Sequence, residues 1–184
     1  LERRCRGDAT MKNLTEIYIE LRDPIFGYLL RLSGDYNLAE ELTQDTFYRA
    51  LLSLPKFREE SSVKTWLYAI ARNTYLNWLR KNHSKGIVFT SFDEEFLSPN
   101  DSHTDPAEQL LEKERRLIFN KSLYILPETY RTVIIFREIE ELSYREIANI
   151  LGKTENWARV TFFRAKQKLK EIYANSERRN ESEI

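Results

Sequence analysis

Two stretches of the sequence mix cationic with aromatic side chains, a combination suited to binding nucleic acids. Bases that leave a stack pack on aromatic rings while cations meet the phosphates. In the first stretch the interleaved residues are Phe57, Arg58, Lys64, Trp66, Tyr68, Arg72, Tyr75, Trp78, Arg80 and Lys81. Trp66 falls on the apolar stripe of a predicted helix, so core packing is its more ordinary role. Tyr68, Arg72 and Tyr75, on the other side, are the better candidates for contact.

The second stretch is a predicted helix from Thr154 to about Ile172, with an apolar back and a basic front. Apolar residues recur at offsets of four, three, four and three: Ala158, Phe162, Ala165, Leu169 and Ile172. The residues off this stripe can reach outward: Arg159, Phe163, Arg164, Lys166, Lys168 and Lys170. A basic helix set behind a tight turn is the geometry that enters a DNA major groove.

The elements before this helix complete a predicted helix-turn-helix. Ser143 and Glu146 have the spacing of a capping box, so a helix begins there. Gly152 supplies the left-handed residue that ends it. Thr154 can cap the helix that follows.

Three more helices are predicted in the first half of the chain. The first covers residues 14–32, with a kink or restart at Asp23-Pro24, because proline costs about 3 kcal/mol in a helix interior. The second runs from its cap, Asn37, to about Leu54 and ends before Pro55. The third begins at Ser61 or Ser62 and continues to Lys81. The second helix is expected to bury Leu38, Leu42, Phe47, Ala50 and Leu51.

The chain is therefore predicted to be all-α, with two small helical domains and a flexible acidic linker between them. The first domain covers residues 13–83, the linker 84–106 and the second domain, with the helix-turn-helix, 107–174. Helical periodicity is absent from the linker. It resumes at Pro106, and Pro127 at a first helical position begins another short helix. The last ten residues are polar and expected to fray.

Charge is unevenly distributed, although 29 basic and 29 acidic residues cancel. Residues 56–85 hold seven basic and two acidic side chains, and residues 154–179 hold seven and three. Residues 93–116 hold eight acidic and three basic ones. Two basic modules thus flank an acidic connector, and the neutral total hides a pattern that fits a polyanionic partner.

Several function classes lack support in the sequence. His83 and His103 have no cysteine or carboxylate partners at metal-ligand spacing, and no catalytic motif occurs, so neither an enzyme nor a cofactor is expected. No apolar run approaches the roughly 20 residues of a membrane span, and no signal peptide is visible. The sole cysteine, Cys5, precedes Met11, the expected natural start, which fits a cytoplasmic, disulfide-free protein.

Two blocks of residues resemble extracytoplasmic-function sigma factors, of the sigma-70 family of bacterial RNA polymerase. Residues 38–50 (LAEELTQDTFYRA), 57–62 (FREESS) and 65–73 (TWLYAIARN) resemble region 2 of that family. Region 4 resembles three segments of the second half, namely LPETYR at 126–131, LSYREIA at 142–148 and FRAKQKL at 163–169. The two blocks occur in the family's order and spacing.

The resemblance implies a transcription initiation factor that binds core RNA polymerase and melts the −10 promoter region. The positions matching the polymerase-docking helix are Glu41, Leu42, Gln44, Asp45 and Phe47. Those assigned to the −10 element are Phe57, Arg58, Ser61, Lys64, Tyr68, Arg72, Asn73 and Tyr75. Phe57 and Asn73 match the pocket for a flipped −10 base. The linker matches a segment threaded through the polymerase cleft, where its negative charge resembles nucleic acid.

The −35 element would be read by the last predicted helix. The residues assigned to it are Thr154, Arg159, Val160, Phe163, Arg164, Lys166 and Lys168. Where the family commonly has Gly-Thr-Val, this chain has Asn156-Trp157-Ala158, and Val160 and Thr161 replace small polar and basic residues. The resemblance also implies a bacterial cytoplasmic protein, monomeric without partners, held by an anti-sigma factor that is often membrane-tethered.

Two alternatives stay open at this point. One is a stand-alone helix-turn-helix regulator with a sensor or dimerisation domain, which would bind palindromic duplex DNA without polymerase. The other is a helical adaptor, which would show no salt-dependent DNA affinity.

Overall fold

A computed structural model describes residues 2–57, 61–83 and 106–182, and every regular element in these ranges is helical. The bounds are α1 Glu2–Ser33, α2 Tyr36–Ser53, α3 Val63–His83, α4 Pro106–Ile125, α5 Glu128–Ile134, α6 Tyr144–Leu151 and α7 Glu155–Ser182. This confirms the predicted all-α class. The predicted linker, 84–106, lies outside the described residues except for Pro106.

Helices α1, α2 and α3 pack together as an N-terminal unit. Its core contains Ile25, Leu29, Leu38, Leu42 and Leu67, all buried. Of the predicted kink or restart at Pro24, the restart is wrong, because α1 continues through this residue as one helix. Leu21 and Ile25 are buried on either side of Pro24, so packing of this stripe offsets the hydrogen bond that proline cannot donate.

The connection between α1 and α2 differs by two residues from the prediction. Gly34 adopts φ 72°, a left-handed conformation that follows the end of α1 at Ser33. The cap of α2 is Asp35 rather than Asn37, since the Asp35 carboxylate accepts a hydrogen bond from the Leu38 backbone N–H at 2.9 Å. Both side chains are short acceptors suited to capping, and only the backbone path decides between them.

Helices α4 to α7 form a C-terminal unit that contains the predicted helix-turn-helix. Ser143 and Glu146 form both hydrogen bonds of the capping box, and Gly152 ends α6 with φ 62° and ψ 40°. Thr154 caps α7 by accepting from the Trp157 N–H at 3.2 Å. The apolar back of α7 is packed as predicted, and α7 continues to Ser182 instead of ending near Ile172.

A π-helical turn at Ile135–Ile139 lies between α5 and α6 and was not predicted. Wide turns of this kind are rare and frequently occur at functional sites. Glu141 follows it with φ 57°, a left-handed conformation that costs a non-glycine residue roughly 1 kcal/mol or more. The turn therefore stores backbone strain directly before the helix-turn-helix.

The two units are packed against each other, chiefly through α3 and α6 and through α1 with α4 and α5. Their buried residues form one continuous hydrophobic cluster. Within the described ranges, no helix is long and apolar enough to cross a membrane. The same ranges contain no cluster of three or more side chains able to hold a metal ion.

Candidate nucleic-acid and protein interfaces

The five α3 residues predicted to contact the −10 element fall on two different faces of this helix. Lys64, Tyr68, Arg72 and Tyr75 are spaced by four, four and three residues, so they form one helical stripe. Asn73 lies off that stripe and shares a face with Trp66, seven residues earlier. Helical periodicity predicts this division as well. Applied to the predicted contact residues, and not only to the apolar ones, it would have placed Asn73 apart from the stripe that contains Tyr68.

The stripe that contains Tyr68 and Tyr75 faces the protein interior, which corrects their prediction as exposed contact residues. Both rings are buried. The Tyr68 hydroxyl donates to the Glu140 carboxylate, and the Tyr75 hydroxyl donates to the Leu32 carbonyl at 3.0 Å. Burial raises the pKa of Tyr75 to about 12, and burial together with the Glu140 hydrogen bond raises that of Tyr68. Neither ring can stack on a base in this arrangement.

The two cations of this stripe, Lys64 and Arg72, bind the C-terminal unit. Lys64 donates from Nζ to the Glu140 carbonyl at 3.1 Å. The Arg72 guanidinium makes two hydrogen bonds to the Glu128 carboxylate, at 3.2 and 3.1 Å, and both side chains are largely buried. In this arrangement, neither cation is available to a DNA phosphate.

The opposite face of α3 remains accessible and carries an aromatic pair. Phe57 follows a 3₁₀ turn, Leu54–Lys56, and its ring lies 4.9 Å from that of Trp66. Both rings are half-buried, and Asn73 is exposed two turns along α3 from Trp66. Ser61 is half-buried at the start of this region, while Arg58 lies outside the described residues. The structure thus brings Phe57 and Asn73 to one side of α3, with Trp66 beside them.

Helix α2 presents a mixed acidic and apolar stripe to solvent. Glu41 and Gln44 are exposed, and Asp45 is partly exposed with its carboxylate 2.9 Å from Arg49 Nε. Leu42 and Phe47, also predicted to contact polymerase, are instead buried in the core, because they point to the opposite side of α2. Three residues not predicted as contacts complete the exposed stripe: Tyr48, Leu51 and Leu52. Leu51 was expected to be buried.

The outward face of α7 combines cations with exposed apolar side chains. Val160 is 39% and Phe163 is 64% exposed, while Thr161 is buried. Arg164 is also exposed on this helix. These side chains lie in the first three turns of the second helix of the helix-turn-helix, where such helices contact base edges.

Three other predicted −35 cations are engaged in exposed ion pairs. Arg159 pairs with Glu155 at 3.3 Å and lies over the Tyr144 ring. Lys166 pairs with Glu138 and Lys168 with Glu171, each at 3.1 Å. An exposed ion pair contributes about 0–1 kcal/mol to the stability of a protein. A DNA phosphate can therefore replace these carboxylates at a small cost in free energy. Thr154 is used as the helix cap.

Comparisons with known proteins match each of the two units to a known protein family. Residues 17–85 match the family "Sigma-70 region 2", and residues 116–169 match "Sigma-70, region 4". Similar proteins include two from Bacillus subtilis (strain 168). RNA polymerase sigma factor YlaC is 33% identical over 89% of this chain and 94% of its own length. ECF RNA polymerase sigma factor SigM is 32% identical over 87% and 94%, respectively.

A solved structure shares the fold across both units. It is the sigma factor RpoE in complex with the anti-sigma factor NepR from Bartonella quintana. The TM-score is 0.70 at 24% identity, and the likeness covers 88% of this chain and 96% of RpoE. With α1–α3 matching region 2 and the helix-turn-helix unit matching region 4, the chain belongs to the extracytoplasmic-function sigma factors of the sigma-70 family and is a transcription initiation factor.

Proposed function

We propose that this factor docks on core RNA polymerase through the exposed stripe of α2. Glu41, Gln44 and Asp45 supply the polar contacts assigned from the family resemblance. Tyr48 and Leu52, both exposed, supply apolar area beside them. Buried Leu42 and Phe47 support this helix from beneath. Aromatic side chains are enriched at protein–protein interfaces, and exposed Tyr48 gives this stripe one.

We infer that −10 bases are captured on the accessible face of α3. The observation that supports this inference is the position of Asn73, exposed on the same side as the Phe57–Trp66 pair. An amide can hydrogen-bond a base edge, and the rings can stack on an unpaired base. Melting would then be driven by capture of unstacked bases, with no chemical reaction required of this chain.

The −35 element is proposed to bind the first three turns of α7. Arg159 and Arg164 would meet phosphates or base edges, and Val160 and Phe163 would make apolar contacts in the major groove. Lys166 and Lys168 would add phosphate contacts after leaving their exposed carboxylate partners. Because much of the affinity is electrostatic, binding should weaken steeply with added salt.

The remaining proposals concern organisation and regulation. Residues 13–83 would act as the polymerase and −10 module, 84–106 as the acidic linker and 107–174 as the −35 module. RpoE, which shares the fold, was solved with an anti-sigma factor. We propose that an anti-sigma factor, either soluble or membrane-tethered, holds this factor too. The protein would act in the bacterial cytoplasm and be a monomer without partners.

Run-off transcription with core polymerase and genomic promoter fragments tests the proposed function. The wild type should direct initiation at specific start sites. Replacing Asp45 by lysine should reduce polymerase binding about tenfold, because a charge on the docking stripe is reversed. The matched change Glu20→Lys on exposed α1 should leave binding unchanged. If the protein bound palindromic duplex DNA but directed no initiation, a stand-alone regulator would be indicated instead.

A further inference from the structure

We propose that Tyr144, the first residue of α6, is a positioning residue for −35 recognition, whose ring holds the Arg159 guanidinium in the orientation that reads a base. This role rests on the proposed reading of the −35 element by α7. The contacts that support it surround one aromatic ring and join the π-helical turn, α6 and α7.

Two guanidinium groups and a second aromatic ring lie around the Tyr144 side chain. Arg159 Cζ, on α7, lies 5.2 Å from the centroid of the Tyr144 ring. Arg137 Cζ, on the π-helical turn, lies 4.9 Å from the same centroid. Phe162 of α7 contacts this ring in an edge-on arrangement at 5.8 Å. Because Tyr144 is half-buried among these side chains, its ring is held between the π-helical turn and α7.

The backbone that carries Tyr144 is fixed by hydrogen bonds on both sides. Ser143 caps α6 through the capping box with Glu146. Arg137 donates from Nη1 to the Leu142 carbonyl at 2.9 Å. Arg137 therefore joins the π-helical turn to the start of α6 and also contacts the ring. Turns of this type are frequent at functional sites, and this one helps to fix the surface against which Arg159 packs.

Stacking on the ring leaves the hydrogen-bonding edge of Arg159 open. A guanidinium is planar, with five N–H donors in its plane and faces that can pack on aromatic rings. Nη2 of Arg159 donates to the exposed Glu155 carboxylate at 3.3 Å, and the side chain is 56% exposed. A guanidinium held by its face is prepared for two hydrogen bonds to O6 and N7 of a guanine. It also loses less conformational freedom on binding than a side chain that rotates freely.

Arg164 provides a comparison on the same helix. Both Arg159 and Arg164 are exposed, and both are assigned to the −35 element. They are five residues apart, so they are separated by roughly 140° around α7. Arg164 therefore points away from the side of α7 on which Tyr144 lies. Loss of the Tyr144 ring should affect the base contact of Arg159 and spare that of Arg164.

Promoter binding by the full chain, assembled with core polymerase, tests this role. Affinity is measured for an intact promoter and for duplexes in which each −35 base pair is replaced in turn. Arg159→Lys keeps the charge but loses the planar fork, so the base pair whose replacement no longer lowers affinity in this variant is the one that Arg159 reads. Tyr144→Leu should lower affinity for the intact promoter roughly fivefold and reduce the penalty at that base pair by a similar factor. The penalties at the other base pairs should stay unchanged.

A conservative variant and a double-mutant cycle separate positioning from simple damage to the fold. Tyr144→Phe keeps the ring and should retain the wild-type affinity. A loss as large as that of Tyr144→Leu would assign the role to the hydroxyl and overturn the proposal. In an Arg159→Ala background Tyr144→Leu should cause no further loss, whereas in an Arg164→Ala background it should cause the full loss of roughly fivefold. Equal losses in both backgrounds would also overturn the proposal. Tyr144→Met, whose flexible side chain fills irregular space, replaces the leucine variant if that variant fails to fold.

The same measurements distinguish the role of Tyr144 from the proposed function. If Arg159→Ala and Arg159→Lys left every base-pair penalty unchanged, Arg159 would not read the −35 element. That part of the proposed function would fail, and the role of Tyr144 would fail with it. If these variants removed one penalty but Tyr144→Leu left it intact, the −35 contact of Arg159 would stand. Only the positioning role of Tyr144 would then be overturned.

Discussion

The rings of Phe57 and Trp66 lie against each other, with centroids 4.9 Å apart and planes tilted by 39°. Phe57 belongs to the loop after α2, and Trp66 lies one turn into α3. The pair therefore ties the loop to the face of α3 that also presents Asn73. Phe57 is a large apolar side chain in a polar loop. Its contact with Trp66 holds it beside the proposed base-capture site.

Asn73→Ala should impair promoter opening without weakening polymerase binding. The side chain is exposed on α3, so its loss costs little stability, while one hydrogen-bonding partner for an unpaired base disappears. We expect roughly a tenfold slower formation of the open complex, measured by permanganate reactivity of unpaired thymines. The control Asn77→Ala, one turn further along α3, should have no such effect. Equal losses of polymerase binding and opening would contradict the proposed role of Asn73.

Tyr75→Phe should lower stability rather than promoter activity. The Tyr75 hydroxyl is buried and donates to the Leu32 carbonyl, which also accepts from the Arg131 guanidinium. Loss of this hydrogen bond should lower the free energy of unfolding by about 1 kcal/mol and Tm by roughly 2–4 °C. Thermal unfolding followed by circular dichroism measures the change. A larger loss of promoter opening than the stability change explains would restore Tyr75 as a DNA contact.

Val160 and Phe163 should make binding depend on thymine methyl groups in the −35 element. Only thymine presents a methyl group in the major groove, and these two exposed side chains are apolar. Replacing a contacted thymine by uracil removes one methyl and should cost about 0.8 kcal/mol, roughly a fourfold loss of affinity.

Duplex-binding titrations with each −35 thymine replaced in turn would locate this contact. For the Val160→Ser variant, replacing the contacted thymine by uracil should cost almost no affinity, because the thymine methyl group has already lost its apolar partner. An unchanged uracil penalty in this variant would show that Val160 does not contact the methyl.

Glu146 should make the helix-turn-helix less stable in acid. Hydrogen bonds from the Ser143 side chain and backbone hold the pKa of Glu146 below its ordinary value of 4.5. A carboxylate with a lowered folded-state pKa stabilises the fold above its unfolded pKa, and this contribution is lost as pH falls through the folded value.

Gln at position 146 keeps the capping geometry but cannot titrate. The wild type should therefore lose more stability than Glu146→Gln between about pH 5 and pH 3, by urea unfolding at fixed salt. Parallel pH profiles for the two proteins would rule out this contribution.

Glu141→Gly should stabilise the protein. Glu141 has φ 57° and is exposed, so glycine relieves backbone strain without removing a buried contact. Relief of this strain should raise the free energy of unfolding by about 1 kcal/mol. The greater conformational freedom of glycine in the unfolded chain offsets part of this gain. Thermal unfolding should show a higher Tm, whereas Glu141→Ala, which keeps a Cβ, should leave Tm nearly unchanged. A lower Tm for the glycine variant would indicate an unrecognised role of the Glu141 side chain.

Local features of this protein follow from the sequence because neighbouring residues decide them. The capping box of Ser143 and Glu146, the left-handed Gly152 and the apolar back of α7 each depend on contacts within one or two helical turns. The all-α class and the position of the helix-turn-helix could therefore be predicted. The continuation of α1 through Pro24 could not, because burial of Leu21 and Ile25 by other helices outweighs the local cost of proline.

Only the tertiary structure decided which polar and aromatic residues are accessible. Tyr68 and Arg72 have the composition of a nucleic-acid contact, yet their partners, Glu140 and Glu128, lie 72 and 56 residues further along the chain. Periodicity can place these residues on one stripe, but it cannot show what covers that stripe. That depends on how the two units dock, and therefore on contacts between residues distant in sequence, such as the insertion of Phe136 between Tyr28 and Tyr68.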